Sequence, residues 1–157
     1  MPPSAAAAVV PATSHDPLAT ALCAAELGEP SGGEPAPAQL VRELFDAMPQ
    51  LRVSVPFATL QLLSRWSRDE RPEVRASVAQ ALPWLVELYP ERVEQILLAL
   101  ACDNWRKVRQ AVTESLADAL ESSTNPWALI ARWERHPERA REVLSAARKS
   151  LPPPLGR

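Results

Sequence analysis

The sequence predicts an all-α fold: a short right-handed α-solenoid of about three helix pairs, preceded by a flexible N-terminal segment. Three observations point there. Seven of the 17 prolines and three of the four glycines fall in residues 1–37, and most remaining prolines sit at the edges of apolar-periodic segments. After residue 37 no stretch pairs period-two alternation with β-branched enrichment, so strands are not indicated. A 14-residue pattern also recurs at an offset of 34. A length of 157 residues suits one domain with its own core.

The lead comes first. Residues 1–15 are Pro, Ala and Ser without a periodic pattern, a composition that does not support a packed core. Asp16-Pro17 reads as an N-cap followed by Pro at the first helical position, opening a short helix over 17–27 that stops at Gly28. Glu29 to Pro37 has linker composition. The first 41 residues carry four acids and no base.

The repeat domain is placed at 38–151, with 152–157 as a disordered tail after Pro152-Pro153-Pro154. A helix over 38–48 precedes three pairs: 56–67 with 71–89, 91–102 with 104–121, and 126–135 with 138–151. Pro56, Pro90, Pro126 and Pro137 mark boundaries, where a missing N–H costs little. Pro83 breaks this rule. It lies inside the apolar run Val74–Leu88, removes a bond to residue 79, and is expected to bend that helix.

The repeat gives the pairs their register. Asp69, Val74, Arg75, Val78 and Leu82 recur as Asp103, Val108, Arg109, Val112 and Leu116. Val74, Val78, Leu82 and Val86 step by four along one helix face; Val108, Val112, Leu116 and Leu120 do the same. Asp69 and Asp103 stand where one helix ends and are expected to cap the next. Arg75 and Arg109 are placed to reach back to that Asp or across to the Asp of the following unit. Replacing Arg109 by Ala is therefore expected to destabilise more than replacing Arg132.

The pattern Asp-x4-Val-Arg-x2-Val-x3-Leu, seen twice with two helices per unit, resembles a HEAT repeat array. Weaker echoes extend it. Val41-Arg42 and Phe45 match Val74-Arg75 and Val78 at an offset of 33. Glu138, Val143, Ala147 and Leu151 track Asp103, Val108, Val112 and Leu116 at an offset of 35, with Leu144 in place of the arginine. Tetratricopeptide repeats share the period, but their Trp-Leu-Gly-Tyr pattern is absent. A closed helix bundle is the competing fold.

Bulk chemistry excludes several classes. The formal net charge is −2, which gives no overall bias toward nucleic acid or anionic membrane. Of the 17 basic residues 15 are arginine, read as coding bias ahead of phosphate binding. Cys23 and Cys102 are far apart and read as thiols in a reducing compartment, a single disulfide being the alternative. His15 and His136 lack the companions a zinc site needs, and no cofactor is implied. No signal-peptide pattern or apolar run of membrane-spanning length is present, so a cytoplasmic protein is expected.

Candidate site residues are few. No nucleophile–base–acid set can be assembled, and no glycine-rich phosphate loop exists. Glu114, Asp118 and Glu121 are expected on a solvated face. Trp66, Trp84, Trp127 and Trp133 read first as packing residues. Trp105 differs: with Arg106, Lys107 and Arg109 it forms a cation-rich helix entrance, a candidate for partner or phosphate binding, against the simpler reading of a solvated turn with a packing tryptophan. Arg132, Arg135, Arg139, Arg141, Arg148 and Lys149 alternate with acids and read as a mixed-charge surface.

A second resemblance sets the alternative. Val108-Arg109-x2-Val112-x3-Leu116-x-Asp118, with Trp133, Arg141, Ala146-Ala147-Arg148-Lys149 and Leu151, is similar to a segment of bacterial DNA alkylation repeat proteins. That resemblance implies a HEAT-like DNA glycosylase that grips the phosphate backbone in a basic groove. Its catalytic acid has no counterpart here, since Asp103 belongs to the repeat turn, and the array is short for enclosing DNA. The first expectation is therefore a non-catalytic protein-binding scaffold or adaptor; the second is a nucleic-acid-binding or alkylation-repair protein.

Overall fold

The computed structural model describes residues 38–124 and 126–150, together with Leu18. The predicted helix 17–27 is represented only by Leu18, which is helical and buried with the core; the rest of the lead, the tail, His15 and Cys23 lie outside the described residues. All regular structure among the described residues is helical: α1 (Ala38–Ser54), α2 (Pro56–Trp66), α3 (Pro72–Ala81), α4 (Pro90–Ala101), α5 (Arg106–Ser122), α6 (Pro126–Trp133) and α7 (Glu138–Ser150).

The 34-residue period is written into the turns. Val55 and Tyr89 precede α2 and α4 with φ/ψ of −140°/55° and −137°/60°. Each is followed by a proline in the first helical turn, where a missing donor costs least. Arg71 and Trp105 precede α3 and α5 with −84°/123° and −86°/125°. Equal dihedrals at equivalent positions mean that two units adopt one local conformation.

Packing follows the same order. α1 lies against α3, α3 against α5, and α5 against α7, while α2, α4 and α6 pack chiefly on this file of helices. The apolar stripes meet at its centre: Val74, Val78, Leu82, Val108, Val112 and Leu116 are all buried. Burying each such side chain contributes about 1.5–3 kcal/mol. Val86, expected on the first stripe, is only half-buried because the helix has ended by then.

Two registers differ from expectation. The first unit aligns at 34, not 33: Leu40, Leu44 and Met48 are buried as Val74, Val78 and Leu82 are, while Arg42 and Phe45 face solvent. The helix also runs past Met48 to Ser54, through Pro49. The last unit does not align at 35. Ala140 and Arg141 donate their N–H groups to the carbonyl of Pro137, as Val108 and Arg109 do to that of Trp105. Arg141, not Leu144, therefore stands at the repeat arginine, and Leu144 is a buried core residue.

Pro83 does not bend a continuing helix. It ends α3 at Ala81, and residues Leu82–Leu85 form a 3₁₀ turn. Proline leaves the carbonyl four residues back, that of Ala79, without its helical donor. The structure supplies one from the neighbouring unit: the buried Ser115 hydroxyl on α5 donates to Ala79 O at 2.6 Å. Ser115→Ala should therefore cost about 1–3 kcal/mol, by leaving a buried carbonyl unpaired. In a Pro83→Ala background, where an N–H returns to position 83, chemical denaturation should show that cost shrink. Equal costs in both backgrounds would refute the pairing.

Candidate turn site around Asp103

The chemistry-bearing side chains gather at the turns between paired helices. Asp69 and Asp103 were expected to cap the following helices. They instead stand two residues before the N-cap and accept its N–H: Arg71 N to Asp69 Oδ1, and Trp105 N to Asp103 Oδ1, both 2.9 Å. This is an Asx turn, in which a short carboxylate reaches its own backbone two residues on. The helix termini themselves carry no side-chain cap.

The arginines bind the turns together. Arg75 donates from Nη1 to the carbonyls of Asp69 (2.7 Å) and Glu70 (3.0 Å) in its own turn. Its Nε and Nη2 reach the carboxylate of Asp103, one unit on, at 2.7 and 3.1 Å. It thus reaches both back and across, but the backward contact is to carbonyls. The pair is largely withdrawn from solvent, with side-chain exposures of 13% and 12%. Arg109 repeats the backward half, donating from Nη1 to the carbonyls of Asp103 (2.7 Å) and Asn104 (2.9 Å). Asp69 has a second local partner in Arg71, whose Nε lies 3.1 Å from Oδ1.

These contacts set the charge state. Burial by itself would raise the Asp103 pKa. The hydrogen bonds from Arg75 and the Trp105 N–H, with the charges of Arg75 and Arg109, outweigh it and hold the carboxyl below the usual 3.8. At Asp69 burial is likewise outweighed, there chiefly by the hydrogen bonds from Arg71. Both acids are therefore ionised anchors at neutral pH.

Trp105 is exposed, at 59% of its surface, and Arg106 and Lys107 beside it are exposed too. Arg109, the fourth residue of the candidate cluster, is half-buried. Trp66 and Trp133 are buried as packing residues, whereas Trp84 is exposed; the Trp127 side chain lies outside the described residues. Glu114, Asp118 and Glu121 face solvent as expected. The later basic residues are also exposed, and their ion pairs reach beyond one helix: Arg132 on α6 to Glu94 on α4 at 3.0 Å, and Arg148 on α7 to Glu134, just after α6, at 3.6 Å.

A second feature, away from the Asp103 turn, had no signal in the sequence. A cleft of about 500 Å³ opens where α4, α5 and α6 meet, lined by Val93, Leu97, Leu116, Leu129 and Trp133 among others. The Nε1 of Trp133 is buried without a hydrogen-bond partner. Cys102 is a free, half-buried thiol, and His136 is exposed. Among the described residues no cluster of His, Cys, Asp and Glu is placed to hold a metal ion, and no helix is long and apolar enough to cross a membrane. No family model matches this chain, and no curated protein or solved structure matches it.

Proposed function

We propose that the chain is a short right-handed α-solenoid of HEAT type that works as a non-catalytic protein-binding module, with its partner meeting the turn surface around Trp105. The repeated turn dihedrals, the Asp–Arg link between units and the file of second helices support the architecture. The observation that carries the function is the exposed Trp105. A tryptophan left in water forgoes a large burial gain, and here it stands on a turn held by the Asp103 carboxylate. Aromatic residues beside arginine, on a rigid support, are the residues that dominate protein interfaces.

The second reading is nucleic-acid binding, with DNA glycosylase activity as its enzymatic form. Arg106 and Lys107 at the start of a 17-residue helix favour it, because that end of a helix attracts phosphate. Photo-crosslinking from position 105 in the source cells separates the two. A protein adduct at 105, absent when the crosslinker sits at the distant Arg92, is expected. Duplex DNA captured instead, with binding that falls steeply as salt is raised, would replace the first reading by the second. Release of methylated bases from DNA by the purified chain would do the same.

A further inference from the structure

Arg75 and Arg109 occupy equivalent places and are used differently. Both fix their own turn through Nη1. Arg75 then closes its other edge, Nε and Nη2, on the Asp103 carboxylate. The same edge of Arg109 has no partner among the described residues.

The third turn explains why. The N–H groups of Asp69, Asp103 and His136 each donate to the carbonyl three residues back, at 3.0, 3.1 and 3.1 Å, so His136 stands at the repeat aspartate. An imidazole has replaced the carboxylate. The next half of the holder is missing as well. In the earlier turns the carboxylate accepts the N–H of Arg71 or Trp105; the equivalent residue is Pro137, which has none.

A second cation is tied to the same place. Arg139 Nη1 donates to Asn104 Oδ1 at 2.9 Å and to the Cys102 carbonyl at 3.3 Å. Two guanidinium groups are thus anchored on residues 102–104, and neither forms an ion pair with a carboxylate of the described residues. The one carboxylate of the turn, Asp103, is already engaged by Arg75 and the Trp105 N–H, so three guanidinium groups gather around a single negative charge, and a further anion would relieve their repulsion. The exposed Arg106, Lys107 and Trp105 border it.

We infer that this turn is a receptor for an acidic side chain of the partner polypeptide. An Asp or Glu carboxylate is gripped by Nε and Nη2 of Arg109, in the two-pronged geometry that Arg75 uses on Asp103, with Arg139 as the second cation. The chain supplies its own template for the ligand: at the equivalent position one unit earlier the occupant is an aspartate. The inference rests on the protein-binding reading and names the chemistry of the partner.

The test uses the full chain at low ionic strength and a fluorescent, end-capped hexa-aspartate peptide, with the hexa-asparagine peptide as control. Wild type should bind the first and not the second. Arg109→Gln and Arg139→Gln should each weaken binding about tenfold or more, while Arg92→Gln, elsewhere on α4, should leave it unchanged. His136→Asp returns the carboxylate within the chain. It should weaken peptide binding and raise the melting temperature by a few degrees, and that rise should vanish when Arg109→Gln is added. If Arg109→Gln proves too unstable to measure, His136→Asp carries the test. No binding by wild type, equal binding by Arg109→Gln, or no effect of His136→Asp on either readout would overturn the inference. So would a short DNA duplex that displaces the peptide and binds more tightly. If the peptide fails while position 105 still crosslinks a protein, the acidic receptor falls and the binding module stands.

Discussion

Arg75→Ala should lower the stability of the domain by about 3 kcal/mol, the low end of the range for breaking a buried ion pair from one side, because this pair keeps some contact with solvent. The substitution removes donors to the Asp69 and Glu70 carbonyls and leaves the Asp103 carboxylate, which is 12% exposed, with the Trp105 N–H as its remaining hydrogen bond and the weaker field of Arg109. Arg109→Ala removes the backward contacts alone and should cost clearly less. Arg132→Ala, in an exposed pair with Glu94, should cost least. Urea unfolding of the three variants checks the order; an Arg109 loss equal to the Arg75 loss would deny the cross-unit pair its weight. The same pair sets an acid limit. Asp69 and Asp103 have folded-state pKa values depressed below the usual 3.8. Their stabilisation is complete above that value and is lost as pH falls through the lower folded values. Arg75→Ala should flatten this acid limb, since Asp103 then loses its main depressing partner.

Trp133→Ala should cost about 3–5 kcal/mol, as expected for emptying an aromatic site in a core. The side chain is fully buried and lines the cleft where α4, α5 and α6 meet, so its removal enlarges an opening already present. Trp133→Phe should be far milder. It loses volume, but it also deletes the Nε1 donor that is buried without a partner. Thermal unfolding of the two variants provides the check: equal losses would mean that the indole nitrogen, not the ring volume, holds the site.

Some of this was legible in the sequence, and the failures have physical causes. The offset of 34 and the positions of Pro56 and Pro90 located α2, α4, α5 and the start of α3 within a residue or two, because periodic apolar faces and terminal prolines are local signals, whereas α3 stops at Ala81, eight residues short of the expected 89, because Pro83 ends it. The first unit was displaced by one residue because Val41-Arg42 mimics Val74-Arg75; Leu40, Leu44 and Met48 carry the true stripe with different residue types. The last unit was displaced because its turn is shorter, so matching Glu138 to Asp103 moved the frame past Arg141. The Asp103–Arg75 link was anticipated as one of two options, but the use of carbonyls for the backward reach was not. Backbone oxygens leave no mark in a sequence. The same holds for Ser115: nothing near it signals that its hydroxyl serves a carbonyl 36 residues away.

The Ser115–Ala79 bond also bears on how the file of helices comes apart. In a repeat array of the proposed kind, contacts run only between neighbours, so in principle each unit can open alone. Here α3 cannot loosen at Pro83 without surrendering a bond from α5, and the Arg75–Asp103 pair ties the turns that begin the same two helices. α3 and α5 should therefore exchange their amide hydrogens as a single slow unit. α7 is joined to α5 by packing and by the Arg139 contacts to the turn, without a matching carboxylate clasp, and should exchange first.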